Sequence, residues 1–224
     1  VYGLLGPNGA GKTTSIRMLM AIVLPDSGRV RVLGTEPGDA MKDRIGYLPE
    51  ERGLYRQMKV MDNLLFFGGI RGLSQAEARR KAIHWLERLN MTADADRRLQ
   101  ELSKGNQQKI QLIATVMHDP ELLILDEPFS GLDPVNLQGL RDIILELARG
   151  GTTVVLSTHL MDEVERLCSH LTLIDSGRAL VTGPLDEVKR RHGTDTVRVD
   201  VAGDPEPLES HPDVAECRRI GRTL

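Results

Sequence analysis

The chain has 224 residues, of which 27% are charged and 40% are hydrophobic, and its formal net charge is −3 at pH 7. This length is enough for one large domain, or for one domain with a small appendage. The near-neutral charge argues against bulk nucleic-acid binding, so we expect no nucleic acid as a partner. No apolar run approaches the roughly 18 residues that a membrane-spanning helix needs.

Short apolar runs bounded by turn residues predict strands. They lie at residues 1–5, 29–33, 45–48, 122–125, 153–157 and 171–174. Helical patterns lie between several of them, at residues 13–21, 74–89, 103–118, 134–148 and 160–168. Ser74 with Glu77 predicts a capping box, and Asp133 before Pro134 predicts a helix start. The alternation is typical of an α/β domain with a mostly parallel sheet.

The pattern divides the chain into a domain over residues 1–192 and a small unit over 193–224. Residues from about 58 to 118 carry mainly helical patterns, which predict a helical subdomain inserted into the sheet domain. From Thr196 to Val201 polar and apolar residues alternate, which predicts the start of a small C-terminal α+β unit of open role. Val1 lies inside a predicted strand, so we expect N-terminal strands of the domain to precede it.

A glycine-rich loop follows the first predicted strand and matches the phosphate-binding pattern G-x-x-x-x-G-K-[ST] at every fixed position. Glycines let the backbone aim successive N–H groups inward, and the next helix adds its positive dipole end. In this pattern Lys12 reaches the β- and γ-phosphates and the Thr13 hydroxyl ligates Mg²⁺. The loop therefore predicts a P-loop NTPase core. Its predicted nucleotide-binding residues are Gly6, Pro7, Asn8, Gly9, Ala10, Gly11, Lys12, Thr13 and Thr14.

Two carboxylates, Asp126 and Glu127, stand at the end of the predicted strand 122–125. Nucleotide hydrolysis can use both, because Asp126 can hold the Mg²⁺ shell and Glu127 can act as general base for the attacking water. An acidic loop after a core strand is the alternative. The phosphate loop in the same chain favours the catalytic interpretation.

The segment 102–106 precedes a predicted helix, with Ser103 in the N-cap position. Gly105 leaves the backbone there open to close approach, which makes this a second potential anion site. Taken by itself, a plain helix cap is the better interpretation, since serine and glycine are common at helix starts.

The order of these motifs resembles the ATP-binding subunits of ABC transporters. That family carries a phosphate loop, a glutamine loop, a signature similar to Leu-Ser-Gly-Gly-Gln, an acidic strand, a loop bearing Asp and a switch histidine. The corresponding segments here are 6–14, Glu50, 102–106, 122–127, 130–133 and 157–159. The resemblance covers about residues 1 to 190.

The resemblance implies a head-to-tail pair of such subunits, with each ATP between Lys12 of one and the signature of the other. It implies that His159 contacts the γ-phosphate and holds Glu127 with the water, and that Asp133 couples the two sites. Taken alone, His159 would be interpreted as a histidine whose hydrogen bonds are satisfied at a helix start. Its position after a predicted strand favours the functional interpretation instead. The implied sites are catalytic Lys12, Glu127 and His159; trans-acting Ser103, Lys104, Gly105 and Asn106; and Mg²⁺-binding Thr13, Asp126 and Glu50.

Three positions in two motifs depart from the family pattern. Glu50 stands where the family usually has Gln; a carboxylate can ligate Mg²⁺ but cannot donate a hydrogen bond when ionised. In the signature, Lys104 replaces the first Gly and Asn106 replaces Gln. With the segment 50–55, these variations are similar to bacterial export systems for sodium ions, drugs or polymers. The family's adenine-stacking aromatic residue lies upstream of the phosphate loop, before Val1, so base preference stays open.

The resemblance therefore implies an ATPase that converts ATP and water to ADP and phosphate, bound peripherally at the cytoplasmic face of the cell membrane. Its implied partners are a paired ATPase subunit, identical or not, and a separate transmembrane permease that docks near residues 55–65. Leu64, Leu65, Phe66 and Phe67 could serve that interface or pack inside the helical subdomain. One alternative is a non-transport ATPase of the same class that acts on nucleic acid or ribosomes. Another is a small-molecule kinase or GTPase that shares only the phosphate loop.

Overall fold

The computed structural model of the chain describes residues 1–51 and 53–192. The chain divides into two compact units, Val1–Arg190 and Arg191–Leu224. The predicted C-terminal unit over 193–224 lies outside the described residues. In the described part of the chain, no helix has both the length and the apolar character to cross a membrane.

A six-stranded sheet forms the centre of the first unit. Its strands are β1 (Tyr2–Leu5), β2 (Ile45–Leu48), β3 (Leu122–Asp126), β4 (Thr153–Thr158), β5 (His170–Asp175) and β6 (Arg178–Pro184). The spatial order is β2-β3-β4-β1-β5-β6. All neighbouring pairs are parallel except β5 with β6, which is antiparallel. The mostly parallel sheet confirms the predicted α/β class.

Seven helices flank or extend the sheet among the described residues. They are α1 (Lys12–Leu19), α2 (Val60–Ile70), α3 (Gln75–Arg88), α4 (Lys104–Val116), α5 (Pro134–Arg149), α6 (Met161–Leu167) and α7 (Leu185–His192). Short 3-10 turns lie at Asp39–Arg44, Thr92–Asp94 and Leu99–Glu101. The predicted capping box of Ser74 and Glu77 starts α3, and Asp133 caps α5 with Pro134 in its first turn, so both predicted starts are confirmed.

Two apolar clusters cover the sheet. The smaller one packs Ile16 of α1 against Ile45 of β2 and Ile124 of β3. The larger one joins the sheet to α2, α3 and α4 through fully buried side chains such as Leu64 and Ile113. Alternate residues of the central strands face opposite layers, so both faces of the sheet are covered, as parallel sheets require.

The predicted strand at 29–33 is wrong. In this region Val32 forms only an isolated bridge with Thr35, closed by two backbone hydrogen bonds of 2.8 and 3.1 Å. Leu33 and Gly34 between them both have positive φ, as a two-residue hairpin turn requires. Val32 is buried in the smaller cluster, so its apolar character reflects packing rather than membership of the sheet.

The topology explains where the motif residues meet. Strands β3, β4 and β1 are neighbours and run parallel, so their carboxyl ends lie along one edge. Gly6, Glu127 and His159 each follow directly after one of these strand ends. Ligands of open α/β sheets bind in the crevice at this edge.

Candidate functional site

The phosphate loop is a turn that only glycine permits at its first position. A Cβ at Gly6 would collide with the carbonyl oxygen of Ile174 on β5. The N–H of Ala10 donates to the Pro7 carbonyl at 3.2 Å, and the Gly177 N–H donates to the Ala10 carbonyl at 2.9 Å. The loop is therefore held from behind by the β5–β6 turn, while Pro7 and its neighbour Asn8 are exposed.

Lys12 begins α1, and its side chain folds back across this loop. Its ammonium donates to the carbonyl oxygens of Gly6 at 2.7 Å and of Pro7 at 3.3 Å. The same Nζ lies 3.4 Å from Oε1 of Glu127, and both side chains are buried, with exposed fractions of 6% and 8%. A buried cation at a helix N-terminus is well suited to phosphate oxygens.

Glu127 connects this lysine to the histidine. Its backbone has a φ of 49°, the left-handed region that a residue with a side chain rarely adopts. Its Oε2 lies 2.9 Å from Nδ1 of the exposed His159. An ionised carboxylate only accepts hydrogen bonds, so Nδ1 carries the proton in this contact. Backbone strain of this kind is concentrated at functional sites. The structure thus brings together the three predicted catalytic residues.

Asp126 fits the predicted magnesium position by its chemistry. Its side chain is 0% exposed, and neither carboxylate oxygen has a hydrogen-bond partner among the described residues. An unpaired carboxylate in such a place is costly, and a divalent cation with its waters would satisfy it. Thr13 lies in the first turn of α1 and the exposed Glu50 follows β2. In the described part of the chain, no three His, Cys, Asp or Glu residues form a ready metal cluster. Magnesium bound through one or two carboxylates and substrate phosphates needs no such cluster.

The signature segment starts α4. Ser103 is its N-cap and accepts a hydrogen bond from the Asn106 N–H at 3.3 Å. Ser103 and Lys104 are exposed, Asn106 is half-buried and Gly105 is buried. Among the described residues, no hydrogen bond or ion pair joins this segment to the phosphate loop. The structure therefore does not bring the signature to the Lys12 site of its own chain.

Two glutamines of α4, which the sequence interpretation missed, connect it to the segments that follow the carboxyl ends of β2 and β3. Gln108 donates to the carbonyl of Pro128 at 3.3 Å, directly after Glu127. Gln111 donates to the carbonyl of Glu51 at 3.2 Å. Both glutamines are buried. A repeated glutamine on the apolar face of a predicted helix was the available signal, because buried amides need partners.

The Asp133 segment and the His159 segment are joined by an ion pair that the motifs do not include. Arg141 of α5 donates two hydrogen bonds to Glu163 of α6, at 2.9 and 2.6 Å, and a third to Gln138 at 2.6 Å. The paired side chains are both buried. Since α5 begins after Asp133 and α6 follows His159, the pair fixes these two elements relative to each other.

Asp133 itself is an exposed N-cap. It accepts hydrogen bonds from the backbone N–H groups of Asn136 at 3.0 Å and of Val135 at 3.1 Å. The side-chain amide of Asn136 donates to its second oxygen. These bonds, chiefly those from Asn136, lower the pKa of the Asp133 carboxyl.

Comparison with known proteins agrees with the motif order. The family model described as ABC transporter matches residues 1–130. The ABC transporter ATP-binding protein YhaQ of Bacillus subtilis (strain 168) is 44% identical over 97% of this chain and 73% of its own length. Nod factor export ATP-binding protein I of Paraburkholderia xenovorans (strain LB400) is 38% identical over 100% of this chain and 75% of its own. A solved structure of the ATP binding subunit of an ABC transporter has a TM-score of 0.78 at 30% identity, covering 86% of this chain and 81% of its own. The chain belongs to the ABC transporter family, among its ATP-binding subunits.

Proposed function

We propose that the chain is the ATP-hydrolysing subunit of an exporter and that it drives a separate transmembrane permease. The observation that carries the proposal is the contact of Lys12 and His159 with opposite oxygens of Glu127. A buried cation, a carboxylate and an exposed imidazole then lie where three parallel strands end. ATP-binding subunits of ABC transporters bind ATP, and these three side chains are the groups that ATP hydrolysis uses.

Binding begins at the phosphate loop. Lys12 exchanges the carbonyls of Gly6 and Pro7, and the carboxylate of Glu127, for the β- and γ-phosphate oxygens. The N–H groups of the loop and the start of α1 hold the same oxygens. Thr13, Asp126 and Glu50 would hold Mg²⁺, which when bound neutralises charge on the phosphates.

Hydrolysis then uses Glu127 as base. Glu127 accepts a proton from the attacking water while the water oxygen forms a bond to the γ-phosphorus. The bond from that phosphorus to the β–γ bridging oxygen breaks, and ADP leaves with the electron pair. His159 donates its Nδ1–H to Glu127 and so orients the carboxylate.

A second subunit completes the site in this proposal. Ser103, Lys104, Gly105 and Asn106 would contact the ATP bound to the partner's loop, with Asp133 coupling the two sites. What supports this is that the signature makes no hydrogen bond to its own phosphate loop among the described residues, although Ser103 and Lys104 are exposed. The positive dipole end of α4 and the charge of Lys104 suit an anionic ligand.

The proposed permease contact is an apolar patch of Tyr55, Phe66, Phe67 and Ile70. The rings of Tyr55 and Phe66 are 5.3 Å apart, and Tyr55, Phe66 and Ile70 are exposed. Of the four residues from 64 to 67, Leu64 is fully buried, so packing inside the subdomain accounts for it. The buried Asn63 holds Tyr55 through two hydrogen bonds to its backbone, at 2.9 and 3.0 Å. Export is favoured because relatives of this chain are named for export and drug resistance.

The experiment is to express the protein with an affinity tag in its source cell, solubilise the membranes gently and identify co-purifying proteins. Tyr55→Asp with Phe66→Asp should lose both membrane association and the permease while the isolated protein keeps its ATPase rate. A matched control, Leu180→Asp, changes an exposed leucine on β6 and should retain both. Recovery of no membrane-spanning protein, or ATPase stimulation by nucleic acid but not by membranes, would contradict the proposal.

A further inference from the structure

Asn136 contacts residues of two motifs, the signature 102–106 and the Asp133 loop 130–133, which are more than twenty positions apart in the sequence. It stands in the first turn of α5, three residues after Asp133, and its amide reaches the first turn of α4 at Gly105. We propose that Asn136 is a positioning residue that couples the signature to Asp133 within one subunit. The inference rests on the proposed function, because it assigns meaning to the signature and to Asp133 through the dimer.

The contact with Gly105 is close enough to demand glycine. A Cβ at this position would lie 2.5 Å from Nδ2, 2.9 Å from Cγ and 3.4 Å from Cβ of Asn136. The first two distances are far below ordinary van der Waals separation, so the amide would have to leave. The third is an ordinary contact. Only the amide of Asn136 therefore conflicts with a side chain at 105.

The amide cannot leave without cost. Its Nδ2 donates to one oxygen of Asp133, and the backbone N–H of Asn136 donates to the other oxygen at 3.0 Å. The backbone of Asn136 is fixed by the helix that Pro134 starts. A rotation of the side chain away from Gly105 would break the bond from Nδ2 to Asp133 and leave the helix cap intact.

This geometry gives Gly105 two separable roles. In the proposed dimer its bare backbone approaches the partner's ATP. Within its own chain it makes room for Asn136, so any shift of the α4 N-terminus against the ATP moves the amide that holds Asp133. Occupancy of one site would thus be transmitted to Asp133 through Asn136.

A double-mutant cycle tests the coupling in the full chain. Asn136→Ala should lower kcat severalfold and leave the Kd for ATP unchanged, because the phosphate loop is untouched. Gly105→Ala should lower kcat at least as much as Asn136→Ala does, because its methyl group displaces the same amide and also stands where the backbone approaches the partner's ATP. In the double variant the amide is gone, so Gly105→Ala should lower kcat by a smaller factor in the Asn136→Ala background than in the parent; the effect that is left reports access of Gly105 to the partner's ATP.

The control is Gly139→Ala, also on α5, where a Cβ would meet nothing within 4 Å. Gly139→Ala should change kcat by the same factor in the parent and in Asn136→Ala. The melting temperature provides a second readout. Gly105→Ala should lower the melting temperature of the parent but not that of Asn136→Ala. That readout does not depend on ATPase activity, so it remains decisive if the proposed function fails.

The inference is overturned if the effects of Gly105→Ala and Asn136→Ala on kcat multiply independently, because Gly105 would then act only through access to the partner's ATP. It is also overturned if the double variant fails to fold while Asn136→Ala folds. A parent protein without ATPase activity would refute the proposed function, and the melting cycle alone would then decide whether the Gly105–Asn136 contact exists.

Discussion

Replacement of Glu127 by glutamine should separate ATP binding from hydrolysis. Glutamine keeps the shape of the side chain at a backbone position with φ of 49°, but it cannot accept the proton of the attacking water. A general base contributes a factor of about 10² to 10⁴, so turnover should fall at least about hundredfold. The phosphate loop is unchanged, which leaves the nucleotide its main binding groups.

ATP binding by Glu127→Gln should be as strong as that of the parent, or stronger. Lys12 Nζ lies 3.4 Å from Oε1 of Glu127, and this separation corresponds to a Coulomb attraction of about 5 kcal/mol at an effective dielectric constant of ~20. Desolvation of the pair offsets much of that energy. The triphosphate must still take the ammonium from a competing carboxylate, and a neutral amide at 127 competes less. We therefore expect the Kd for ATP to stay constant or to decrease.

The assay measures phosphate release at saturating Mg-ATP together with the Kd for ATP by equilibrium dialysis. Lys12→Ala should weaken binding and turnover together. Glu146→Gln, which changes an exposed glutamate paired with Arg88, should keep parent values for both. Hydrolysis by Glu127→Gln at the parent rate would refute the assignment of the base, and a large increase in its Kd would refute the competition between carboxylate and phosphate.

Three further variants probe the scaffold around the site. Arg141→Met leaves Glu163 buried without a cation, so urea unfolding should show a loss of about 3 to 5 kcal/mol; a loss below about 1 kcal/mol would contradict a structural ion pair. Burial, followed by the charge of Arg71, lowers the pKa of His118 in the folded protein. The unfolded state therefore binds more protons once the pH falls below the ordinary histidine pKa of ~6.5. The free energy of unfolding should be highest above that pH and should decrease as the pH falls. His118→Gln should therefore show a smaller drop in melting temperature than the parent between about pH 7.5 and about pH 5.5, and an equal drop would refute the linkage. Ser157→Ala removes a buried hydroxyl that has no partner among the described residues, so the melting temperature should stay constant or rise; a clear fall would mean that the hydroxyl is satisfied.

The sheet and the carboxylates at the carboxyl end of its strand β3 were predictable because buried parallel strands are continuous apolar runs. All five residues of β3 are buried, and its sequence located both the strand and the carboxylates at its end. Strand β6 was missed because it is an antiparallel edge strand whose residues are exposed or half-buried, so its apolar run is only three residues long, at 179–181. The signal for it was the pair Ser176 and Gly177, both with positive φ, which turn the chain between β5 and β6.

The predicted strand 29–33 failed for the opposite reason. Val32 is apolar because it packs against the sheet, and a strand also needs a neighbouring backbone, which local pattern does not reveal. The same limit applies to the contacts of Asn136 with Gly105 and of Arg141 with Glu163. Each joins segments that are remote in sequence, and only the packing of α5 against its neighbours brings them together.

In the proposed function, ATP joins two copies of this site head to tail. The most direct test is light scattering of Glu127→Gln with and without Mg-ATP, with Lys12→Ala as the control that should not respond. We predict a mass that doubles only when Mg-ATP is present, because hydrolysis no longer opens the pair. A variant that binds ATP and retains the monomer mass across the concentration range would contradict the head-to-tail pair.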